Sequence, residues 1–321
     1  MSENSKVLCF YINEWEDLVH CIRAFPAGYF RGQENSEWGL ATTLERKHSI
    51  YDSEMNAFID SHNLTPKEKE YWHGAMTKSL EYKNEFSAIQ TFRRLHSIPE
   101  SIASSVEVLA QMQHYGASTR LLDVTASFLV ALFFAFENYG SQDRSVWFFR
   151  KHFFLWHSEF MKENMTDEEL ESAHIRRPIG RLIDDEENFF NKSLAFANRH
   201  FYNQRTSADE PLSIIPLNIT GNNPRLVAQN GAFMFPTSLR PFNEHLCSVF
   251  KITEDELQKQ CSTFSKEKIR NVEITRKIAI IKFVISIKLR SEVECLLQAA
   301  NISARSIYPD EIGIAKSIQY W

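Results

Sequence analysis

The chain has 321 residues and a mass of 37.4 kDa, long enough to bury a substantial apolar core as one large domain or two small ones. With 43% hydrophobic and 24% charged residues, its composition excludes a disordered or fibrous protein. The net charge of −5 and the pI of about 6.1 exclude binding to nucleic acid or an anionic membrane through bulk positive charge. A local basic cleft remains compatible with these values.

The sequence predicts a cytoplasmic protein that does not enter a membrane. Its N-terminus is polar and has neither the basic start nor the apolar core of a signal peptide. The longest apolar stretch, Phe128 to Phe136, is much shorter than the roughly 20 residues of a spanning helix. The five cysteines are odd in number, far apart and without a CxxC pair, which is typical of a reducing compartment: Cys9, Cys21, Cys247, Cys261 and Cys295.

The N-terminal part predicts a strand, a helix and a second strand. Residues Val7 to Ile12 are apolar, and Asn13 then caps an amphipathic helix that ends near Arg23. The second strand is Tyr29 to Gln33. Two helical regions follow: Ser53 to about Leu95, with a start at Thr65 before Pro66, and Pro99 to His114.

The centre of the chain predicts a buried helix, because Ala126 to Phe136 is apolar on nearly every side; Thr125 is its expected N-cap. Residues 161–190 hold nine acids against four bases, so we interpret 151–205 as a helical insertion with a solvated acidic face. The remaining predicted elements are strands over Ser145 to Arg150 and Ala279 to Ile287, a helix over Glu292 to Ala300 and a last helix starting at Pro309.

These elements predict an α+β fold: a single mixed domain over residues 1–321, with a central β-sheet and helical insertions. Common catalytic signatures are absent. There is no GxxxxGK[ST], GxGxxG, GxSxG or HExxH, so phosphate-loop enzymes, Rossmann oxidoreductases, α/β-hydrolases and zincins lack their key residues. His152 and His157 are five residues apart and share a helix face poorly, so no metal site is expected.

Glycine marks three polar segments. The chain has only ten glycines, and scarce glycine indicates backbone that turns sharply or approaches something closely. Each marked segment contains arginine, so we expect the three to converge on one anionic ligand. The marking glycines and their polar neighbours are Gly28, Gly32 and Gly39 with Arg31 and Gln33; Gly116 with His114, Thr119, Arg120, Asp123 and Thr125; and Gly231 with Arg225, Gln229 and Asn230.

A structural alternative stands beside this interpretation. Arg120 could pair with Asp123 to hold the turn before the buried helix. His114 could pack in the core, and Gln229 could bond backbone at a turn. Arg31 favours a ligand more strongly, because a guanidinium in an aromatic and glycine-containing strand is costly to bury without an anionic partner.

The marked segments resemble the FRG-domain family, which is named for the Phe-Arg-Gly found here as Phe30-Arg31-Gly32. The similar residues run from about Leu8 to Ile318. They are Phe30-Arg31-Gly32-Gln33, Trp38-Gly39-Leu40, Leu44 and Arg46; Gln113 to Thr125 (QHYGASTRLLDVT) and Ala131 to Ala135 (ALFFA); Arg225 and Gln229 to Phe233 (QNGAF); and Ile307-Tyr308-Pro309-Asp310.

The arrangement also resembles that of ADP-ribosyltransferases, in whose arginine-specific branch an aromatic-Arg-Gly strand holds NAD. The resemblance implies NAD as substrate, no metal, and a toxin or antiphage effector with a nucleic-acid or protein acceptor and a cognate antitoxin. It implies that NAD is held by Phe30, Arg31, Gly32, Gln33, Thr119 and Arg120, and that the catalytic residues are His114, Asp123 and Gln229.

Two questions stay open at this stage. Transferases usually place a glutamate where this chain has Gln229, so the acid could be Asp123, Glu273, Glu292 or Glu294. The alternative functions are a non-catalytic nucleotide- or RNA-binding module, or motifs that only stabilise the fold while a partner binds the acidic insertion. Residues 251–290 hold ten bases against five acids, which fits a nucleic-acid contact or an ordinary solvated surface.

Overall fold

The computed structural model describes residues 7–25, 28–62, 64–71, 83–99, 103–151, 194, 197, 212–218, 223–257, 261–263 and 278–318. Within these residues the chain forms a mixed eight-stranded β-sheet with helices packed on it. This confirms the predicted α+β class with a central sheet. The assignment of 1–321 to a single domain stays a prediction, and so does the likeness to ADP-ribosyltransferases. Most of the expected insertion at 151–205 lies outside the described residues.

The sheet has the strand order β5-β6-β3-β2-β4-β8-β1-β7. Strand β1 runs parallel to β7 and β8, and the other neighbours are antiparallel. The strands are β1 (Val7–Ile12), β2 (Tyr29–Gln33), β3 (Leu122–Thr125), β4 (Arg144–Phe149), β5 (Ile214–Leu217), β6 (Gly231–Pro236), β7 (Ser262–Thr263) and β8 (Ile280–Ile285).

The helices lie between these strands and after the last one. They are α1 (Trp15–Ala24), α2 (Thr43–Ser61), α3 (Lys83–Leu95), α4 (Ser105–His114), α5 (Phe128–Phe136), α6 (Pro224–Ala228), α7 (Phe242–Phe250), α8 (Glu254–Leu257), α9 (Arg290–Ala299), α10 (Ala304–Ile307) and α11 (Glu311–Ile318). A 3₁₀ turn, Ile287–Leu289, precedes α9.

Helix α5 is the centre of the main core, as its apolar sequence predicts. Seven of its residues are buried, and the Phe30 and Phe128 rings lie 5.2 Å apart. Gly32 lets the helix backbone pack directly on β2, since an added Cβ would stand 1.9 Å from the Ala131 carbonyl oxygen and 2.8 Å from the Ala135 nitrogen. The glycine of the Phe-Arg-Gly motif is therefore required for packing of the strand on the helix.

Two further apolar clusters complete the core. One packs α7 and α8 against residues of the sheet such as Trp147 and Phe149, which alternate with residues of the main core along β4. The other joins α3 and α4 to β5 and β6, through Leu109 and Phe233 among others. The cluster of α3, α4, β5 and β6 positions the C-terminal end of α4, and with it His114, beside the sheet.

Several predicted elements are confirmed with small shifts. The strands Val7–Ile12 and Tyr29–Gln33 have the predicted bounds, and a helix starts after Thr65 at residue 66. The long helical region holds three described segments: α2, which begins at Thr43 and not at Ser53, the segment from residue 66, and α3. The helix expected from Pro99 begins only at Ser105, because Ser104 forms a capping box with Glu107.

Two predicted helix caps are wrong. Glu14, without a side-chain bond, occupies the N-cap of α1 instead of Asn13. Ser127 caps α5 instead of Thr125, whose hydroxyl accepts from the Ser127 nitrogen at 3.0 Å and donates to the Gln229 carbonyl at 2.7 Å. Hydroxyl residues two positions apart offer the same capping chemistry, so the long-range bond of Thr125 decides between them.

Cys9 and Cys261 form a disulfide that connects β1 to the chain just before β7, with their Cα atoms 4.4 Å apart. The wide spacing of the cysteines did not indicate this pairing, and the cytoplasmic location stays a prediction. No helix among the described residues combines the length and apolar character that crossing a membrane requires.

We expect Gly32→Ala to destabilise the fold by about 3 kcal/mol, the upper end of typical overpacking costs, because its Cβ would meet helix backbone that cannot move aside. Gly39→Ala is the matched control, since the Cβ there meets only the Asn243 amide nitrogen at 3.8 Å. Urea unfolding followed by circular dichroism measures both. Equal stabilities of the two variants would contradict this account of Gly32.

Candidate functional site

The candidate site opens where β2 and β3 part. In the described part of the chain these strands pair at Phe30 and Thr125 alone. Beyond that pair the Arg31 side chain replaces the missing ladder, and its Nη1 donates to the Asp123 carbonyl at 2.7 Å. A cavity of about 910 Å³ lies at this opening. An unpaired strand carbonyl needs a donor, and here a charged side chain supplies it.

The cavity brings together residues from all three glycine-marked segments. Its lining includes Phe30, Arg31, Gly32 and Gln33 from β2; Gln113, His114 and Asp123 from α4 and β3; and Arg225 and Gln229 from the region of α6. The expected convergence of distant segments on one cavity is therefore observed.

Arg31 is held in an environment that disfavours its charge. Its side chain is 15% exposed, and the nearest Asp123 carboxylate oxygen is 4.0 Å from Nη1. Burial lowers the pKa of Arg31; Asp123 opposes this shift, whereas the nearby positive charge of Arg46 adds to it. Arginine nevertheless keeps its proton. The site thus contains a fixed cation that its own acid partner compensates only in part.

Two buried donors in the cavity wall have no hydrogen-bond partner among the described residues: Arg31 Nε and Gln113 Nε2. The other amide atom of Gln113 accepts from the Thr119 hydroxyl. Leaving a buried donor unpaired costs roughly 1–3 kcal/mol. An oxygen-rich ligand that reached them would offset this cost.

Arg46 is a cavity residue to which the sequence assigned no role beyond the resemblance. The start of α2 positions it: Glu45 accepts from the Thr42 nitrogen and, with its other oxygen, from the Phe242 nitrogen, both at 2.6 Å. Arg46 Nη1 donates to the Ala41 carbonyl at 3.0 Å. The Thr-x-x-Glu spacing of a capping box was the available sequence signal for this helix start.

His114 lies at the end of α4, half-buried, beside the third arginine of the cavity. Burial lowers its pKa, and Arg225 lowers it further, while Asp310 opposes both effects. The Arg225 guanidinium lies over the Tyr308 ring, 4.6 Å from its centroid. At neutral pH His114 is therefore predominantly uncharged, with one ring nitrogen able to accept a proton.

Gln229 lines the cavity but is also bound to the fold. Its side-chain nitrogen donates to the Ile307 carbonyl at 3.4 Å, and its backbone carbonyl accepts from the Thr125 hydroxyl. Asn230 follows with φ of 45°, and Gly231 begins β6. These features match the alternative in which Gln-Asn-Gly forms a turn, here one that ties α6 to α10.

The family comparison agrees with the motifs. Residues 27–144 match the family model of the FRG domain. This part of the chain is similar to the FRG domain. The resemblance is thereby confirmed over these residues, while its extension from Leu8 to Ile318 stays a prediction. No curated protein and no solved structure matches the chain.

The FRG match covers β2, β3, α4 and α5, and with them Arg31, His114 and Asp123. Arg225 and Gln229 lie beyond it, in the chain segment that closes the cavity. The site is thus built from the part of the chain that matches the FRG model together with later parts of the same chain.

Two residues expected to hold NAD do not reach the cavity. Arg120 is 1% exposed and forms a buried ion pair with Glu85 of α3, Nε to Oε2 at 2.7 Å. Thr119 is fully buried and bonds Gln113. The alternative pairing of Arg120 with Asp123 is also wrong, because Glu85 takes the arginine and Asp123 lies beside Arg31. Thr119 bonds the lining residue Gln113, and Arg120 pairs with Glu85, so both stabilise the cavity wall without lining it.

Phe30 and Gln33 also act largely as supports. Phe30 is buried in the main core. Gln33 is buried, accepts from the Trp147 indole at 2.6 Å and donates to the Gly39 carbonyl at 2.9 Å. These bonds tie the loop after β2 to the sheet, so the Phe-Arg-Gly-Gln motif combines one cavity-facing charge with three residues that position it.

The candidate acids differ in their availability. Glu137 lines the cavity but accepts from Tyr308 and Lys316. Glu292 and Glu294, both on α9, are not in the lining, and Glu294 pairs with Arg290 at 2.9 Å. Asp123 is 54% exposed and lines the cavity. Glu273 lies outside the described residues.

The basic stretch 251–290 is described only in part, since 258–260 and 264–277 lie outside the described residues. Two of its cations serve the fold: Lys282 donates to the Ser36 carbonyl at 2.6 Å, and Arg290 to the Phe136 carbonyl at 3.0 Å. Over the described ranges, no group of three His, Cys, Asp or Glu side chains is arranged to hold a metal ion. His152 and His157 are outside them.

We expect Glu85→Ala to cost about 3–5 kcal/mol of stability, because it leaves the Arg120 charge buried without its acid. Glu244→Ala removes the acid of an exposed pair with Arg240 and should cost roughly 0.2–1 kcal/mol. Chemical unfolding of both variants tests this assignment. A mild effect of Glu85→Ala would indicate that Arg120 is free to leave its pair, and would restore it as a ligand residue.

We expect two substitutions to move the pKa of His114 in opposite directions. Arg225→Ala removes a positive neighbour and raises the pKa, whereas Asp310→Asn removes a negative neighbour and lowers it. Titration of the His114 ring signals by NMR, assigned with His114→Gln, measures both. Shifts in the same direction would show that His114 does not lie between these two charges.

Proposed function

We propose that the chain binds NAD in the arginine-lined cavity and transfers ADP-ribose to an acceptor. The observation that carries the proposal is Arg31: a buried guanidinium at the parting of two strands, with an unpartnered Nε and a second arginine, Arg46, close enough to lower its pKa. Like charges facing one cavity repel, and an anionic ligand relieves that repulsion. A pyrophosphate supplies two adjacent anionic groups.

The size of the cavity supports a ligand of this class. Ligand pockets commonly measure roughly 300–1,000 Å³, and this one measures about 910 Å³. Arg31 and Arg46 would bind the phosphates, and Arg225, stacked on Tyr308, offers a third cation at the other part of the lining. Arg120 is not one of the proposed phosphate-binding residues, because its guanidinium is buried in an ion pair with Glu85.

The chemistry requires a group that stabilises positive charge. Cleavage of the nicotinamide–ribose bond develops an oxocarbenium ion on the ribose, which a fixed carboxylate stabilises. Asp123 is an acid of the lining whose side chain is 54% exposed. Its backbone carbonyl accepts the hydrogen bond from Arg31, which leaves the carboxylate at the cavity. Uncharged His114 would accept the acceptor's proton. Gln229 would position the ligand rather than react.

The biological role is proposed from the family resemblance. The resemblance to FRG-domain proteins, which occur in bacterial and phage-linked settings that include defence and toxin–antitoxin systems, supports a cytoplasmic toxin or antiphage effector controlled by a cognate antitoxin. The acceptor would be a nucleic acid or a protein.

A second candidate is a non-catalytic nucleotide- or RNA-binding module. It is favoured by the residue at the place where transferases usually carry glutamate, Gln229, whose amide is bound to the Ile307 carbonyl. A module of this kind needs the cavity cations but no reactive carboxylate. The two functions therefore make the same prediction for Arg31 and different predictions for Asp123.

We expect Arg31→Ala to weaken NAD binding roughly 10- to 150-fold, the loss of one charge-assisted hydrogen bond. Asp123→Asn should leave binding within about threefold and slow nicotinamide release about 100- to 1,000-fold, as the removal of one transition-state stabiliser does. Calorimetry measures binding, and chromatography of released nicotinamide measures turnover.

The control variant is Arg240→Ala, an exposed arginine that is not part of the cavity lining. Circular dichroism verifies that each variant is folded, and Arg46→Ala provides a second cavity variant that leaves the Arg31–Asp123 bond in place. Saturable binding without nicotinamide release, in the presence of cellular RNA, DNA and protein, would establish the binding module instead.

A further inference from the structure

Trp38 is an indole at the cavity that the fold does not use. It belongs to the cavity lining, yet the residue is 52% exposed. No hydrogen bond or ring contact of its side chain occurs within the described residues, whereas the other described indole of this region, Trp147, is buried and bonded to Gln33. An exposed aromatic ring in the lining of a cavity that also holds charged side chains offers a surface for a ligand.

The loop that carries Trp38 is held on both sides. On one side, the Gln33 side chain donates to the carbonyl of Gly39, the residue after Trp38, at 2.9 Å. On the other side, the carbonyl of Ser36, two residues before Trp38, accepts from Lys282 at 2.6 Å. The Ser36 backbone N–H donates to the Asp143 carbonyl at 2.8 Å. The backbone around Trp38 is thus hydrogen-bonded to β2, to β8 and to the residue before β4, so the exposed ring is presented from a fixed position.

We propose that Trp38 is a stacking platform for the base of the ligand, so that the cavity selects nucleotides over sugar phosphates and free phosphates. The inference rests on the proposed binding of NAD and names the chemical class that the site distinguishes. The arginines recognise charge but cannot distinguish a nucleotide from pyrophosphate. An indole face on the same cavity adds the missing discrimination, because every base presents a flat π-face.

The test compares ADP with inorganic pyrophosphate, which share two adjacent phosphate groups and differ in the base and ribose. Binding of each to the full chain is measured by calorimetry for the wild type, Trp38→Ala and Trp38→Phe. The control is Tyr71→Ala, an aromatic residue with 69% exposure outside the cavity lining. Circular dichroism and thermal unfolding verify the fold of each variant.

The expected result is a Kd for ADP that rises roughly 5- to 150-fold in Trp38→Ala, the loss of one base–aromatic stack, and largely recovers in Trp38→Phe. The Kd for pyrophosphate should stay within about twofold, and Tyr71→Ala should resemble the wild type. ADP should also change the indole fluorescence of the wild type, and this change should vanish in Trp38→Phe although ADP still binds.

Equal weakening of ADP and pyrophosphate in Trp38→Ala would overturn the proposal, because it would show that the residue only supports the loop. An unchanged Kd for ADP, or a wild type that prefers pyrophosphate, would overturn it as well. A wild type that binds neither probe would overturn both this inference and the proposed NAD site. Trp38-dependent ADP binding without nicotinamide release from NAD would leave this inference standing and reject the transferase.

Discussion

The hydrogen bond from Arg31 to the Asp123 carbonyl belongs both to the β-sheet and to the candidate site. Strands β2 and β3 pair at Phe30 and Thr125, and past that point the guanidinium takes the place of the ladder. If a backbone amide of β2 bonded this carbonyl instead, β2 and β3 would stay paired and leave no room for the cavity. A long charged side chain satisfies the same carbonyl while holding the strands apart, so the interaction that completes the sheet also opens the cavity.

This arrangement divides the motif residues into two groups. Arg31, Trp38, Arg46, His114 and Asp123 line the cavity. A second group keeps its walls in place: Gly32 against α5, Gln33 against the loop after β2, Thr119 against Gln113, and Arg120 against Glu85. A buried ion pair is weak evidence for stability as such, but breaking one is costly. A motif can therefore be dense in polar residues although few of them touch a ligand.

The elements that sequence analysis predicted well are those with a local cause. The apolar run of α5 and the strand at Tyr29–Gln33 depend on patterning, and the convergence of the glycine-marked segments followed from scarce glycine beside arginine. The errors concern long-range partners. Glu85 lies on α3, 35 residues before Arg120, which lies between α4 and β3, and nothing in the spacing indicates that pair. Strand β3 has four residues, too few for a recognisable period.

The charge of the molecule limits which anions the cavity can serve. The chain carries −5 overall, so a long polyanion is repelled by the surface that it would have to cover. A small ligand needs to reach only the three arginines of the lining, Arg31, Arg46 and Arg225, and to avoid its four acids, Glu34, Glu45, Asp123 and Glu137. Screening shortens the reach of surface charge to about 8–10 Å at physiological salt. Inside a partly enclosed cavity, Arg31 and Arg46 act with less screening. Such a field favours a compact ligand with few phosphates, and a nucleic acid would fit only by presenting an end or an unstacked nucleotide.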